Sequence, residues 1–212
     1  MDGTKVRVEA VREVGPETVA IELETPESFD ALPGQFVLLR AAPEGEELAR
    51  HYTLSSATVT DTFEITVGID PDGDLSPWLA DLEGGETVHV EGPMGAITYE
   101  GAEDVVAVAG GPGVGPAVAI AEFAHKHDQD ASVIYQDDEP AHRDRLEALE
   151  AEGAAVSIVD ADSNEELEEA VADHLDDGQF YVFGFSDFVT TIAERIDEVG
   201  GNSDDALIEN FG

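Results

Sequence analysis

Two short stretches carry side chains that could do chemistry, and both point to a ligand that contains phosphate. The first reads "RHYTLSS" at residues 50–56. If it forms a strand, Arg50 and Tyr52 share one face about 7 Å apart, because alternate residues of a strand point the same way. An arginine fork can hold a phosphate and a phenol ring can lie flat against an aromatic ligand. An ordinary surface arginine beside a half-buried tyrosine explains this heptapeptide equally well.

The second stretch is a glycine-rich turn, "AGGPGVGP" at residues 109–116, between an apolar run and a helical stretch. Glycines let the backbone approach a ligand closely, and the unpaired N–H groups at the start of a helix attract phosphate. The turn therefore favours a pyrophosphate site. It is neither the GxGxxG fingerprint nor a P-loop, whose Lys-Ser/Thr pair is missing, and a purely structural turn is the alternative.

The elements that must position these stretches differ between the two halves of the chain. Up to about residue 100, segments of period-two alternation between Pro and Gly signals predict an antiparallel six-stranded β-barrel. One short helix interrupts it, with Ser76 as N-cap and Pro77 at the first helical position. The predicted strands are residues 5–14, 18–25, 35–42, 51–56, 63–69 and 87–92.

From residue 101 onward, apolar runs alternate with helical stretches, a pattern typical of a parallel sheet covered on both faces. We predict strands at residues 105–111, 131–136, 154–161, 179–184 and 206–210, and helices near residues 115–127, 141–152, 164–176 and 187–199. A capping box of Ser163 and Glu166 begins the third helix. The sequence thus predicts two domains: a barrel over residues 1–100 and a parallel α/β, Rossmann-like nucleotide-binding domain over residues 101–212.

The formal net charge is −40, from 49 acidic and nine basic residues in a chain of 212. Self-repulsion on this scale destabilises a compact state in dilute buffer, whereas molar salt shortens the Debye length to about 3 Å and screens most of it. We therefore predict a halophilic, cytoplasmic protein; an acidic surface shaped for a basic partner is the alternative. The absence of a basic patch disfavours nucleic acid as a partner.

Cysteine is absent, which excludes disulfides, thiolate zinc sites and protein-ligated iron–sulfur clusters. Any redox chemistry therefore needs an organic cofactor. No metal site is predicted, because His125 and His127 are two residues apart on a predicted helix and point in different directions. The N-terminus is charged and no run approaches about eighteen apolar residues, so we expect no export signal and no membrane span.

Ordered motifs along nearly the whole chain resemble those of the ferredoxin-NADP reductase superfamily. Residues 50–56 resemble its Arg-x-Tyr-Ser/Thr flavin motif. The further motifs are "PGQFV" at 33–37, "GDLSPWL" at 73–79, "GGETVHVEGPMG" at 84–95, "AGGPGVGP" at 109–116, "YVFGFSDFV" at 181–189 and the terminal "ENFG". This resemblance implies that the barrel binds FAD and that the α/β domain binds NAD(P).

The resemblance also implies a role for each matching position. Arg50 would bind the FAD pyrophosphate, Tyr52 would stack on the isoalloxazine, and Thr53 would hydrogen-bond near its N5. Glu209 and Phe211 would lie near the flavin, where Glu209 could relay a proton. The remaining implied contacts are Gly73, Leu75 and Ser76 to the FAD phosphates, and Gly110, Gly111, Gly113 and Val114 to the nicotinamide dinucleotide.

Two departures from the family pattern affect the nicotinamide side. Phe183-Gly184-Phe185 stands where the family has Cys-Gly-Pro, and Pro112 stands where the glycine turn has Thr. Phe183 and Gly184 still count among the implied cofactor-binding positions, but Phe183 and Phe185 could block or reshape the approach of nicotinamide to flavin.

The choice between NADH and NADPH depends on the residues after the strand "SVIYQ". Asp137 and the two acidic residues that follow it suit a ribose hydroxyl and repel a 2′-phosphate, which favours NADH. Arg143 and Arg145 lie close by in the sequence and leave NADPH open.

The leading functional hypothesis is an FAD-dependent oxidoreductase that accepts a hydride from NAD(P)H and passes electrons to a carrier such as a ferredoxin. The alternative is a flavin-bearing electron-transfer subunit without its own nicotinamide turnover. A non-redox domain that retains the fold is a third possibility, because fold resemblance alone does not establish function.

Overall fold

The computed structural model describes residues 2–212, with the side chain of Glu44 left out, and contains two sheets. The first sheet has six antiparallel strands in the order β4-β3-β6-β1-β2-β5. Its strands are β1 (Thr4–Gly15), β2 (Thr18–Glu24), β3 (Phe36–Ala41), β4 (Leu48–Thr53), β5 (Thr62–Gly68) and β6 (Thr87–Met94). The number of strands and their antiparallel pairing confirm the prediction.

The first sheet is barrel-like but not closed, which corrects the expected barrel. Its two edge strands, β4 and β5, meet only where the chain leaves β4: an isolated bridge joins Leu54 to Ile65, and the Ser55 N–H donates to the Glu64 carbonyl at 2.8 Å. Inside the curved sheet lies an apolar core that includes Val8, Ile21 and Leu39, all fully buried. Burial of every second side chain is the reason why the period-two pattern identified these strands.

The short helix α1 (Ser76–Ala80) follows β5 and packs Trp78 against this core. Ser76 is its first residue rather than its N-cap, which is Leu75, so the predicted cap position is wrong by one residue. The Ser76 hydroxyl instead accepts a hydrogen bond from the Asp70 N–H at 3.0 Å. This bond ties the start of α1 to the start of the loop after β5.

The second sheet has five parallel strands in the order β11-β10-β7-β8-β9, as predicted for the α/β half. Helices α2 and α3 cover one face with an apolar core, and α4 and α5 cover the other. The strands are β7 (Val105–Gly110), β8 (Ala131–Gln136), β9 (Ala155–Val159), β10 (Gln179–Gly184) and β11 (Leu207–Asn210); the helices are α2 (Val114–Lys126), α3 (Arg143–Ala151), α4 (Asn164–Asp173) and α5 (Ser186–Glu198).

The capping box predicted at the start of α4 is not formed. Ser163 is the N-cap of α4, but its side chain makes no capping hydrogen bond.

Among residues 2–212, no helix combines the length and apolar character needed to cross a bilayer. All strands of the first sheet end before residue 95 and all strands of the second begin after residue 104; the domain division at residue 100 stays a prediction.

Strand order in the second sheet fixes where a ligand can bind. The chain moves outward from β7 to β8 and β9 on one side, and returns to β10 and β11 on the other. The loops that leave β7 and β10 therefore diverge and open a crevice at the carboxyl ends of these adjacent strands, which is where open parallel sheets bind their ligands.

One face of β5 holds the two halves together at this crevice. Because side chains alternate along a strand, Glu64, Thr66 and Gly68 share a face. Glu64 pairs with Arg145 of α3, and Thr66 hydrogen-bonds to His142 just before α3. Gly68 lies against Pro112 after β7: a Cβ added at Gly68 would be 3.4 Å from the Pro112 ring. Strand β5 is therefore the contact strip on which the α/β half sits.

Candidate functional site

A cavity of about 320 Å³, here called the ligand cavity, lies where the crevice meets the first sheet. Strand β4 contributes Arg50, Tyr52 and Thr53 to one wall, and the loop between β5 and α1 contributes a second wall. The α/β half supplies the third wall, through the turn after β7, the residue after β10 and the residue after β11. These residues are Pro112, Phe185 and Phe211.

Arg50 and Tyr52 both line the ligand cavity, as two residues of one strand face should. The Arg50 guanidinium donates only to the Ala49 carbonyl, at 2.8 Å, and has no carboxylate partner among residues 2–212. Burial raises the pKa of Tyr52 to about 12, although the positive charge of Arg50 opposes the shift. The cavity thus holds a neutral phenol beside a guanidinium that makes no ion pair with a described carboxylate.

Thr53 links the cavity to a partly buried acid, Glu209, which lies 156 positions later in the sequence. Its hydroxyl donates to Glu209 Oε1 at 3.0 Å, while Glu209 Oε2 is buried without a hydrogen-bond partner. Burial raises the pKa of Glu209 to about 7, and the hydrogen bond from Thr53 opposes the shift. Pairing of β10 with β11 brings Glu209 here, opposite Phe183. An acid that titrates near neutrality behind a cavity hydroxyl can hold or deliver a proton.

The predicted phosphate contacts Gly73, Leu75 and Ser76 all line the cavity. The Gly73 N–H donates to the Asp70 carbonyl at 2.9 Å, so a tight turn precedes α1. Because the Ser76 oxygen already accepts from the Asp70 N–H, its own hydroxyl proton is available to a ligand. The sequence reasoning missed the carboxylates of Asp70 and Asp74, which also line this wall.

Close packing within the protein explains why most positions of the glycine turn carry the residues they do. A Cβ on Gly110 would lie 2.7 Å from the Phe188 ring, and one on Gly113 would lie 2.2 Å from the Phe183 carbonyl. Val114 is fully buried in the core. Gly111 differs from these three, because it has φ +54° and no atom within 4 Å of where its Cβ would be. Among the four predicted nicotinamide contacts, only Gly111 faces open space.

Phe183 and Phe185 lie in different environments, and this corrects the expectation that both could obstruct a nicotinamide. The side chain of Phe183 is fully buried in the core below α2, so it does not reach the cavity. Gly184 faces the Phe188 ring, which would lie 2.5 Å from a Cβ at this position. Phe185 is 53% exposed and lines the cavity. Strand β10 ends at Gly184, so Phe185 lies just beyond the sheet and lines the cavity, whereas Phe183 lies inside the strand.

Asp137 lies just beyond the carboxyl end of β8, outside the ligand cavity. Its carboxylate accepts hydrogen bonds from the Tyr135 hydroxyl at 3.0 Å and the Glu139 N–H at 2.9 Å. Of the two nearby arginines, Arg143 is exposed, whereas Arg145 donates to Glu122, Glu64 and the Ser55 carbonyl. Four of the five N–H donors of Arg145 are therefore already used within the protein.

Sequence reasoning also missed a buried pair behind the cavity, Thr66 and His142. Thr66 lines the cavity, and its Oγ1 lies 2.9 Å from Nε2 of His142. His142 is 5% exposed, and its pKa is lowered to about 3, first by burial and then by the positive charges of Arg145 and Arg12. The imidazole is therefore neutral. Alternation along β5 could have identified Thr66, but no local signal identifies His142.

Comparison with known proteins agrees with this geometry. Residues 5–99 match the family model described as the oxidoreductase FAD-binding domain. The chain is 32% identical over 146 residues to the glycine betaine monooxygenase reductase subunit of Pseudomonas aeruginosa, an alignment that covers 66% of this chain and 40% of that protein. It is 36% identical over 104 residues to NADH-cytochrome b5 reductase 1 of Emericella nidulans, covering 46% and 34%.

Two solved structures share the whole fold. The FAD/NAD-binding domain of nitric oxide dioxygenase from Vibrio cholerae superposes with a TM-score of 0.86 and 21% identity, covering 100% of both chains. A ferredoxin NADP+ reductase from Neisseria gonorrhoeae with bound FAD and NADP gives 0.82 and 20%, covering 99% of this chain and 98% of that one. The chain spans less than half the length of the curated relatives it matches.

The two solved structures share the fold of this chain, and the family model supports FAD as the cofactor of an oxidoreductase. The cavity fits such a group on its own evidence. It has an unpaired guanidinium for phosphate, a half-buried ring for stacking, and a buried carboxyl oxygen without a partner behind Thr53.

Proposed function

We propose that this chain is an FAD-dependent oxidoreductase that takes a hydride from NAD(P)H, with NADH preferred, and passes electrons to a carrier protein such as a ferredoxin. In this proposal residues 1–100 bind FAD and residues 101–212 bind the nicotinamide dinucleotide. One observation carries it: in a chain with 49 acidic residues, Arg50 lies in the ligand cavity without a carboxylate partner among the side chains that the structure describes. An unpaired guanidinium beside an aromatic ring suits a ligand with both a phosphate and a planar ring.

The residues that we propose to bind FAD line the cavity. Arg50 holds the pyrophosphate, Tyr52 stacks on the isoalloxazine, and the Ser76 hydroxyl, with the backbone at Gly73 and Leu75, contacts the phosphates. When bound, FAD supplies the redox chemistry, because it accepts two electrons together and releases them singly.

Protons are handled by Thr53 and Glu209. Because the pKa of Glu209 is raised to about 7, its carboxyl group can be protonated or ionised near neutral pH. Its 3.0 Å bond to Thr53 Oγ1 connects this carboxyl group to the cavity surface. The two side chains form a relay that holds a proton at Glu209 and moves it through the Thr53 hydroxyl, and Phe211 closes the site above them.

The nicotinamide dinucleotide lies over the turn after β7, with Gly111 as the point of closest backbone approach and the backbones of Gly110, Gly113, Val114 and Gly184 around it. Asp137 accepts the ribose hydroxyl of the adenosine half. Two features support NADH over NADPH: the carboxylate would repel a 2′-phosphate, and four of the five N–H donors of Arg145 are already used within the protein. Phe183 contributes no side-chain contact, because it is buried.

We further propose that the protein is halophilic and works in the cytoplasm at molar salt. The −40 charge is the support, since screening at short range removes most of the self-repulsion. Chemical unfolding measured in 0.1 M and 2 M KCl tests this: a free energy of unfolding that does not rise with KCl would contradict the proposal.

An absorbance spectrum tests the main proposal. The full chain purified in molar KCl is expected to be yellow or to take up FAD, and anaerobic NADH is expected to bleach the flavin more readily than NADPH does. A colourless protein that binds no FAD would overturn the proposal.

A second function, a flavin-bearing electron-transfer subunit without its own nicotinamide turnover, is favoured by Pro112 and Phe185, which line the cavity on the side of the α/β half. In that case the flavin is present, NADH leaves its spectrum unchanged, and an added partner protein reduces it. The same titration therefore distinguishes the two functions.

A further inference from the structure

A fully buried tyrosine lies two residues before Asp137, near the carboxyl end of β8. Tyr135 is 0% exposed, and its ring packs in the core that α2 and α3 cover. Its hydroxyl donates to Asp137 Oδ2 at 3.0 Å and accepts from the Ala141 N–H at 3.3 Å. The phenol therefore connects the two ends of the loop that follows β8.

The backbone of this loop is held at both ends. The Asp137 N–H donates to the Val159 carbonyl, at the end of β9, at 2.9 Å. At the other end, Ala141 is buried against Gly15 of β1, where an added Cβ would lie 2.7 Å from the Ala141 Cα. Because the backbone is fixed, the direction of the Asp137 carboxylate depends on the hydrogen bonds of its side chain.

The Asp137 carboxylate accepts one hydrogen bond on each oxygen. The Tyr135 hydroxyl donates to Oδ2, and the Glu139 N–H donates to Oδ1 at 2.9 Å. An ionised carboxylate has about four acceptor positions, so each oxygen keeps a free one. Asp137 is only half-buried. The two donors therefore fix the plane of the carboxylate and leave it able to accept two neighbouring hydroxyl groups, one on each oxygen.

Tyr135 acts on Asp137 as a proton donor. Burial raises the pKa of the Tyr135 hydroxyl above its ordinary value, the hydrogen bond from the Ala141 N–H opposes the shift, and the negative charge of Asp137 adds to it. The phenol therefore keeps its proton. Since the Ala141 N–H bonds to the phenol oxygen from the other side, that proton is directed at the carboxylate.

We propose that Tyr135 is a positioning residue for the choice of dinucleotide: its hydroxyl holds the Asp137 carboxylate in the orientation that accepts the two ribose hydroxyls in the adenosine half of NADH. This inference rests on the proposed function, which assigns Asp137 to that ribose. NADPH carries a phosphate on one of these hydroxyls, so it loses one contact and is repelled by the carboxylate. Tyr135 is buried and acts only through Asp137.

The test uses the full chain loaded with FAD in molar KCl and compares the wild type with Tyr135→Phe, which keeps the ring and loses only the hydroxyl. Calorimetric titrations measure the Kd for NAD⁺ and the Kd for NADP⁺ separately. We expect the Kd for NAD⁺ to rise about fivefold, as for the loss of one hydrogen bond, and the Kd for NADP⁺ to stay within about twofold. The preference for NAD⁺ should therefore fall.

Tyr99→Phe is the matched control for the loss of a buried hydroxyl. Tyr99 is 1% exposed, and its hydroxyl donates to the carbonyl of Glu103, which precedes β7, at 2.6 Å. This variant should lose about as much stability to denaturant as Tyr135→Phe does, but neither Kd should change. A hydrogen bond that only satisfies a buried hydroxyl has no reason to affect the choice between the two dinucleotides.

Asp137→Asn separates the proposed function from the further inference. It should lower the preference for NAD⁺ more than Tyr135→Phe does, and combining the two substitutions should add little, because the hydroxyl acts through the carboxylate. If Asp137→Asn changes neither Kd, Asp137 does not bind the ribose, and the proposed positioning role fails with that assignment.

The positioning role alone is overturned by a different result. Asp137→Asn would then lower the preference for NAD⁺, whereas Tyr135→Phe would leave the ratio of the two Kd values at that of the wild type. An equal change of the ratio in Tyr99→Phe would also overturn it, because the effect would then come from a weakened core.

Discussion

Two concave regions of similar size lie between the halves of the molecule, and they differ in whether their arginines form ion pairs with carboxylates. The ligand cavity measures about 320 Å³ and contains Arg50. The other region measures about 340 Å³ and is here called the arginine groove; it is lined by Arg12, Glu64, Glu122 and Arg145, among others.

Every charge of the main cluster in the arginine groove has a partner. Arg145 donates to both carboxylate oxygens of Glu122 at 2.7 and 2.9 Å, to Glu64 at 3.2 Å and to the Ser55 carbonyl at 2.9 Å. The second oxygen of Glu64 accepts from Arg12. Since Arg145 and Glu122 belong to the α/β half and Glu64 to the first sheet, this cluster fastens the halves together.

This difference distinguishes an arginine with a structural role from one that is available to bind a ligand. A concave surface and a positive charge are common to both regions. What differs is whether the arginine already forms an ion pair with a carboxylate, and Arg50 forms none with the described residues. In a chain this acidic, an arginine that remains unpaired in a cavity is more informative than the cavity itself.

The largest expected effect comes from breaking the cluster in the groove. Arg145→Gln leaves the half-buried Glu64 with the exposed Arg12 as its one recorded ion-pair partner and the Ser55 hydroxyl as a neutral donor. We therefore expect the free energy of unfolding to fall by about 3 kcal/mol. Chemical denaturation at constant KCl measures this. In the matched control, Arg12→Gln, the arginine side chain is 57% exposed, so the loss should stay below about 1 kcal/mol. Equal losses in both variants would contradict the role of Arg145 as the fastening residue.

The next effect is on ligand binding, at the unpaired arginine. Arg50→Gln removes a charge-assisted hydrogen bond to phosphate, so the Kd for FAD should rise about 30-fold, equivalent to about 2 kcal/mol. Quenching of Trp78 or of FAD fluorescence in a titration of the apoprotein measures it. Arg143→Gln is the control, because Arg143 is exposed and does not line the cavity. A Kd unchanged in Arg50→Gln would remove the main support for the ligand cavity.

A third prediction concerns the pair behind the cavity. The pKa of His142 is lowered to about 3 in the folded protein, below its ordinary value of 6.5, so its contribution to stability is present above pH 6.5 and is lost as the pH falls toward 3. By pH 5 the loss is about 2 kcal/mol. His142→Asn keeps a residue that tolerates the positive φ of 54°. The difference between wild type and variant in unfolding free energy should shrink on acidification by this amount; a pH-independent difference would mean that His142 does not carry the dependence.

The smallest effect has the opposite sign. The pKa of Glu209 is raised to about 7, above its ordinary 4.5, so its contribution to stability is present below pH 4.5 and is lost as the pH rises through 7. Glu209→Gln mimics the protonated acid and should be more stable than the wild type above pH 7, by on the order of 1 kcal/mol. The exposed Glu194→Gln serves as the control. An advantage for Glu209→Gln that is the same at pH 5 and pH 8 would contradict the raised pKa.

The two walls of the ligand cavity differ in how far the sequence could predict them. Arg50 and Tyr52 are close in sequence on one strand, so strand alternation alone places both on one side. The wall from the α/β half joins residues after three different strands, Pro112, Phe185 and Phe211. The sequence analysis named Phe183 as a cofactor contact and both Phe183 and Phe185 as possible obstructions. Only the tertiary structure decided that Phe183 is buried and that Phe185, beyond the end of β10, lines the cavity.

The sequence by itself determined the strands, the helices and the chemistry of β4, because these depend on periodicity and on contacts between near neighbours. Tertiary structure alone decided that the first sheet stays open, that Thr53 meets Glu209, and that His142 supports Thr66. Those contacts join residues 156 and 76 positions apart. They form only when the α/β half packs against β5. The free energy of that packing is distributed over many side chains, so no local pattern in the sequence predicts these contacts.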